Sequence, residues 1–444
     1  MTSEADVTRE ALGLACANVR AGAVADGFAG VVPQFVASPS STGEAAGLLR
    51  AAAALGLAVV PRGGGSRLDW GTPPARCDLV IDTSAMNAVL EHAAGDLVAR
   101  VQAGARMGHV AEVLAAAGQE VALDVPPDAT AGGVIADALA GPRRLRYGSP
   151  RDLLIGITIV RPDGTVARAG GKVVKNVAGY DLGKLFAGSA GTLGLIAEAT
   201  FRLHPLPAAR AWVTATFPAP GPGGAGGARL PAGAGVAAVI AAAANSPLVP
   251  SAVELHWPGP GEAAAVGVLL EGSPDGVAAR AGKMSELLAT PASPASAASP
   301  GALPAGAGLA AAGTAPGWWR ALPETAGVTL LRATFWVSAL GAVLAAIGDF
   351  ARDAGVAPAV HGPAGAGLLY VTLPGNVAPE HVDALVAAVR GVIPAGRGSC
   401  RIARADGRFR EKKSLEEVPG AALMSAVREQ FDPSGIMSPG RFIG

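Results

Sequence analysis

Pro61-Arg62-Gly63-Gly64-Gly65-Ser66-Arg67-Leu68-Asp69-Trp70-Gly71 follows the strand-like run Leu57-Ala58-Val59-Val60. Three consecutive glycines at the exit of a strand let successive backbone N–H groups turn inward as a nest for an anion, because glycine has no Cβ and tolerates positive φ. Pro61 stiffens the entry, and Ser66 adds a hydroxyl donor. The segment lacks the Lys that follows the last glycine of a P-loop and the spacing of a Gly-x-Gly-x-x-Gly turn, so neither an NTP site nor a Rossmann NAD site fits it. A chain with 62 glycines also builds plain tight turns from such triplets, so the phosphate reading depends on what stands around it.

At 444 residues the chain has room for two or three domains and a large core. Thirty-five basic residues balance 35 acidic ones without long blocks of either sign, which leaves a nucleic-acid partner no electrostatic footprint. Cys16, Cys77 and Cys400 form no Cys-x-x-Cys pair, an arrangement that supports neither an iron–sulfur or zinc site nor a disulfide framework. Met1-Thr2-Ser3-Glu4-Ala5-Asp6 carries acids where a signal peptide carries basic residues. The apolar run from Thr334 to Gly348 is shorter than the roughly 20 residues of a membrane span and is flanked by charges. It reads as a strand leading into a helix with a buried face. The expectation is a chain without a transmembrane segment, in the cytoplasm or held peripherally at the inner face of the membrane through a complex.

From Phe35 to His204 short β-branched runs alternate with alanine-rich helical stretches. A helix is predicted over Glu44 to Leu55 and another over Met107 to Ala117. Strands are predicted at Ala58 to Val60, Leu79 to Asp82, Val98 to Val101, Leu154 to Arg161, Thr165 to Ala169 and Gly194 to His204. After Pro207 the texture changes. Two Ala/Gly/Pro-rich stretches, 218–235 and 290–317, lack apolar periodicity and read as surface loops or insertions. Strands and amphipathic helices interleave around them as an α+β domain.

Two further glycine-bearing segments follow the first. Pro126-Pro127-Asp128-Ala129-Thr130-Ala131-Gly132-Gly133-Val134-Ile135-Ala136 starts a predicted helix, with Thr130 offering a hydroxyl and Gly132-Gly133 permitting close backbone approach near the helix's positive end. The third runs from Gly170-Gly171-Lys172-Val173-Val174-Lys175 through Leu182 to Gly188-Ser189-Ala190-Gly191-Thr192-Leu193-Gly194-Leu195-Ile196.

In this order the three segments resemble the PCMH-type FAD-binding family typified by vanillyl-alcohol oxidase and the FAD-linked 2-hydroxy-acid dehydrogenases. The tail Phe431-Asp432-Pro433-Ser434-Gly435-Ile436-Met437-Ser438-Pro439-Gly440-Arg441 is similar to that family's carboxy-terminal motif, so the likeness extends over nearly the whole chain. It implies an α+β fold: a two-lobed FAD-binding domain over residues 1–207 (lobes about 30–92 and 93–207), an α+β, ferredoxin-like cap over 208–406, and a segment 407–444 returning to the FAD domain. It also implies FAD contacts at Arg62, Gly63, Gly64, Gly65, Ser66, Arg67, Pro126, Ala129, Thr130, Gly132, Gly133, Ala136, Gly141, Gly191, Thr192, Gly194 and Ile196. Together with Leu139 to Gly148 and Lys172 to Leu182, these segments look like the FAD-binding subunits of glycolate-oxidising complexes. Such a subunit works with a flavin-bearing D-type subunit and an iron–sulfur F-type subunit to oxidise glycolate to glyoxylate.

Members of the family that tether FAD covalently use a His in the first loop and sometimes a Cys in the second. Neither occurs in Gly63 to Gly71 or Asp128 to Gly133, so FAD is expected to bind non-covalently. The hydroxy-acid dehydrogenases carry a motif ending Gly-Asp-Gly-Asn-x-His in the cap, where this chain has His361-Gly362-Pro363-Ala364-Gly365-Ala366-Gly367. The base and metal-ligand pair is missing, no metal ligands are assigned, and His361 in a Gly/Pro-rich turn reads more readily as a surface residue than as a base. His256 alternates with apolar residues on a predicted strand and reads as structural. Arg143-Arg144-Leu145-Arg146 is either a solvated loop, a group near the flavin or a partner surface. Lys172 and Lys175 flank the flavin or are ordinary surface residues, and Trp318, Trp319 and Trp336 are core or subunit contacts. Two rivals to the complex subunit stay open: an autonomous flavin dehydrogenase for another small 2-hydroxy acid, and a scaffold that has lost its cofactor.

Overall fold

The computed structural model describes residues 3–172, 181–219, 233–289, 308–320, 327–405 and 420–441. The chain forms two compact units, one from Met1–Ala140, Gly148–Leu206 and Glu417–Gly444, the other from Gly141–Tyr147 and Pro207–Glu416. Both mix helices with sheets, as an α+β chain should.

The first unit contains two lobes. In the first lobe, a sheet is ordered Val19–Ala21, Phe35–Ala37, Leu79–Asp82, Val59–Arg62, its last three strands parallel. Helix Thr42–Leu55 begins where the Ser41 hydroxyl accepts from the Glu44 N–H at 3.2 Å, and ends at Gly56 with φ 63°. It buries Ala45, Leu48, Leu49 and Ala52, one helical stripe, against Val59, Leu79 and Ile81. The second lobe is a five-stranded antiparallel sheet ordered Val89–Ala93, Val98–Gln102, Leu195–Arg202, Leu154–Val160, Val166–Gly170. Its inward residues Val101, Ile157, Ile159 and Phe201 pack with Val110 and Leu114 of helix Met107–Ala115.

The chain's end returns to both lobes. Phe431, closing helix Ala421–Phe431, meets Phe186 edge-on at 5.6 Å, while Ile436 and Met437 enter the first lobe's core. Met437 bridges Val59 in parallel. The Asp432 carboxylate, 3% exposed, accepts from the N–H groups of Ile436 and Met437 at 3.1 and 2.8 Å, which shapes this turn.

The second unit is an eight-stranded antiparallel sheet, ordered Gly308–Ala312, Ala209–Phe217, Ala264–Gly272, Ala252–Trp257, Ala359–Gly362, Leu368–Pro374, Val328–Phe335, Gly398–Arg404. Helices Gly233–Ala244, Pro274–Ala289, Leu340–Ala354 and Pro379–Val392 contribute Ile240, Met284, Leu344 and Leu385 to a core on one sheet face. Two elements fall inside stretches that read as loops: helix Gly233–Ala244 starts within 218–235, and strand Gly308–Ala312 lies within 290–317. Both are built mainly of alanine and glycine, which give little apolar contrast, so tertiary pairing decided their state. Among the described residues no helix is long and apolar enough to cross a membrane.

Candidate functional site

A cleft lies wholly within the first unit. Arg62, Gly63, Gly64, Gly65, Ser66 and Arg67 from the first segment line it, as do Ala129, Thr130, Gly132, Gly133 and Ala136 from the second and Gly191, Gly194 and Ile196 from the third. Residues separated by more than 130 positions thus share one concave surface. Three expected contacts lie elsewhere. The Pro126 carbonyl accepts from the Ala129 N–H and supports the second turn, the Thr192 hydroxyl is buried in a bond to the Ser189 carbonyl at 2.7 Å, and Gly141 belongs to the second unit.

Steric constraint explains the glycines at the centre. A Cβ on Gly63 would sit 2.1 Å from Thr130 Oγ1, so the first and second segments touch only because residue 63 has no side chain. Thr130 in turn accepts from the Gly133 N–H at 3.3 Å, and a Cβ on Gly132 would press on Ala103 at 2.8 Å. Gly65 sits at φ 75° and Gly191 at φ 77°, conformations that exclude most side chains.

The cleft's arginines are largely committed to the protein. Arg62, half-buried between two carboxylates, reaches Asp82 at 2.8 Å and Asp26 at 3.3 Å. Hydrogen bonds from Arg20, and also from Arg62, hold the Asp26 carboxyl well below the usual carboxylate range. Arg67 pairs with Asp137 at 2.7 Å and lies over the Trp70 ring at 3.9 Å. An anion in the cleft would therefore be met chiefly by the backbone N–H groups of the glycine loop.

Arg441 is the exception, and sequence reasoning did not place it here. It lines the cleft, is 6% exposed, and donates to the carbonyls of Leu68, Arg67 and Trp70 at 3.2, 3.1 and 3.0 Å. Its enclosed Nε has no hydrogen-bond partner, and burial lowers its pKa from the ordinary guanidinium value. A buried cation held by carbonyls gains from a neighbouring anion. Substituting Arg441→Met is expected to weaken FAD binding roughly 10- to 100-fold, the range for a lost charge-assisted hydrogen bond, with Arg441→Lys falling between. Titration of flavin fluorescence checks this, and wild-type affinity in Arg441→Met would contradict it. The tail motif Pro439-Gly440-Arg441 was the available signal. Asp137, Leu139 and Ala190, also in the lining, adjoin the recognised segments, whereas Thr83 and Ala103 had no local signature.

The other singled-out residues are placed as follows. Arg143 is not solvated: it is 6% exposed and pairs with Glu271 at 3.5 Å. Arg210 reaches the same carboxylate at 2.9 Å, and Tyr147 donates to it at 3.1 Å. Arg146 donates to Ser251 at 3.4 Å, so this run is anchored in the second unit's sheet. Lys172 is exposed and pairs with Glu91 at 2.6 Å, whereas Lys175 lies outside the described residues. His361 lies on strand Ala359–Gly362, directly opposite His256, rather than in a surface turn. Trp336 is 58% exposed beneath the Arg397 guanidinium instead of in a core. Among the described residues no group of three or more His, Cys, Asp or Glu side chains is placed to hold a metal.

With this geometry in view, comparison with known proteins gives the class. Residues 33–170 match the FAD binding domain family. The chain thus carries a FAD-binding domain over these residues and is similar, through that region, to FAD-linked oxidoreductases. It is 37% identical to glycolate oxidase subunit GlcD of Bacillus subtilis over 192 residues, 42% of this chain and 40% of that one. It is 35% identical to a mitochondrial cytochrome-type D-lactate dehydrogenase of Saccharomyces cerevisiae over 188 residues, 42% and 32% of the two chains. The matched region thus spans two fifths or less of these relatives' lengths. In fold the chain is similar to chitooligosaccharide oxidase, with a TM-score of 0.65 at 15% identity, covering 99% of this chain and all of that one.

Proposed function

We propose that this chain is the FAD-binding, E-type subunit of a glycolate oxidase complex, which oxidises glycolate to glyoxylate and passes the electrons through flavin to an iron–sulfur partner. The observation that carries the reading is the single cleft into which all three glycine-bearing segments converge. Likeness to a glycolate oxidase subunit supports the substrate class. The D-lactate dehydrogenase likeness favours a second reading, an autonomous dehydrogenase for another 2-hydroxy acid.

The cleft's residues fit the cofactor. Gly63 to Gly65 line the cleft and offer it a backbone suited to a pyrophosphate, while Ala103, Val134, Leu139 and Leu195 offer apolar wall to ring systems. Arg441 adds one buried positive charge. Bound FAD supplies a two-electron acceptor for the α-hydrogen of a hydroxy acid. The chain's own part is to hold that group, to screen it from water with the apolar wall, and to fix the loop through Arg67–Asp137 and Arg441.

Among the described residues no His, Cys or Tyr lines the cleft, in keeping with the non-covalent attachment proposed for FAD. Acid precipitation of the purified yellow protein is expected to leave the flavin in the supernatant; flavin retained in the pellet would contradict this. Anaerobic glycolate is expected to bleach the flavin slowly in the isolated chain and at a turnover-like rate after reconstitution with D-type and F-type subunits. Turnover-like bleaching of the isolated chain favours the autonomous dehydrogenase. A colourless protein that releases no flavin on denaturation removes both readings in favour of a scaffold.

A further inference from the structure

A second cavity of the first unit shares Gly63, Gly64, Gly65 and Thr130 with the cleft already described, so the glycine loop is a wall common to both. Ser84, Asn87, Arg106 and His109 line this cavity and not the cleft. Arg106 stands just before helix Met107–Ala115, and His109, three positions on, is its neighbour on the helix surface. Phe28 and Leu68, packed together, supply an apolar side.

The cavity's carboxylates are committed to the protein, whereas its donors are not. Asp26 takes Arg20 at 2.6 Å on both oxygens, Arg62 at 3.3 Å and the Ala23 N–H at 3.0 Å. Asp82 accepts from Arg62 at 2.8 Å and from the Ser84 N–H at 2.9 Å. Arg20 and Arg62 thus balance Asp26 and Asp82, which leaves Arg106 as the uncompensated charge of this lining. Among the described residues no hydrogen bond or ion pair engages the side chains of Arg106, His109, Asn87 or Ser84. All four residues are exposed, so a ligand reaches them without rearrangement. The helix end itself is already occupied, since the Met107 and Gly108 N–H groups donate to the Ala129 and Pro127 carbonyls at 2.8 Å.

We propose that this cavity is a second ligand site, one that takes the phosphoryl group of a small molecule, with Arg106 as its charged partner and His109, Asn87 and Ser84 as further donors. A guanidinium beside neutral donors favours an oxyanion, because hydrogen bonds between ionised partners are about twice as strong as neutral ones. Four donor side chains exceed the two oxygens of a carboxylate, and a phosphoryl group presents three acceptor oxygens. His109 keeps at least one N–H in either protonation state. The source is free phosphate or a phosphate ester, whose organic part would lie against Phe28 and Leu68. The site does not rest on the function proposed above.

The test is calorimetric titration of the full chain, in the presence of excess FAD, with inorganic phosphate, phenyl phosphate and acetate at constant ionic strength. Saturable binding of phosphate and none of acetate is expected. Tighter binding of phenyl phosphate assigns the site to an ester, and equal or weaker binding assigns it to free phosphate. In Arg106→Met the Kd should rise roughly 10-fold with an unchanged flavin-to-protein ratio, and Arg106→Lys should lose less. His109→Ala gives a second reading if Arg106→Met does not fold. Arg441→Met, which alters the cleft, should leave phosphate affinity unchanged. No saturation by either phosphate, equal binding of acetate, or wild-type affinity in both Arg106→Met and His109→Ala overturns the site. So does a loss in Arg441→Met alone, which would put the anion in the cleft. A colourless chain that binds phosphate through Arg106 would sustain this site while removing the flavin reading.

Discussion

Gly63→Ala is expected to yield a folded chain that purifies nearly free of flavin. The new Cβ would meet Thr130 Oγ1 at 2.1 Å, well inside contact distance, and Thr130 is 5% exposed and tied to the Gly133 N–H. Relief requires either a new Thr130 rotamer, losing that cap at about 0.5–2 kcal/mol, or outward movement of the loop. Crowding of this kind costs about 1–3 kcal/mol, and the loop that moves is the one whose N–H groups line the cleft. FAD affinity should therefore fall roughly 100-fold, about 3 kcal/mol, measured as the flavin-to-protein absorbance ratio and by titration of the apoprotein. Adding Thr130→Ala makes room for the new methyl group, so the double variant should bind FAD more tightly than Gly63→Ala alone. A full flavin complement in the single variant would show that contact between the two segments does not shape the site.

The largest stability effect is expected at Glu271. Its side chain is 1% exposed and serves Arg143, Arg210 and Tyr147 together. Truncation to alanine removes the buried carboxylate that Arg143, Arg210 and Tyr147 share, a change of about 3–5 kcal/mol in comparable buried pairs. Urea unfolding should report that loss for Glu271→Ala. Although burial pushes the Glu271 carboxyl up, Arg143 and the bonds from Arg210 and Ser251 outweigh it and hold the group below its ordinary 4.5. A pKa lower in the folded than in the unfolded chain means a contribution fully present above the ordinary value and lost as pH falls through the folded one. The wild type should thus lose stability below about pH 4.5 more steeply than Glu271→Gln. Equal stability of wild type and Glu271→Ala at pH 7 would show the cluster to be solvated after all.

These two residues stand at opposite ends of what could be read from the chain. Gly63 belongs to a short local pattern whose conformational meaning is carried by the residues themselves. Glu271 is an acid at the end of an apolar strand, and nothing near it in sequence announces three partners located 61 to 128 positions away. The same contrast separates helix Thr42–Leu55, marked by its cap and apolar stripe, from strand Gly308–Ala312, whose Gly-Leu-Ala-Ala-Ala favours no state until it pairs with Ala209–Phe217. Arg143 and His361 show how the reading errs. A basic run resembles a solvated loop until its carboxylate is found, and a His beside Gly and Pro resembles a turn until its strand is paired.

By itself the sequence determined the three glycine-bearing segments, because close backbone approach and positive φ are properties of single residues. It also determined most helices and strands of the two lobes, because apolar periodicity is local. Only the tertiary structure decided that those segments share one cleft, that Arg441 from the far end of the chain enters it and clamps its loop, and that Arg62 and Arg67 are neutralised by Asp26, Asp82 and Asp137. Charge compensation and enclosure depend on which distant side chains meet, and strand register, which aligns His256, His361, Tyr370, Arg332 and Arg401 in one row, exists only after the sheet has formed.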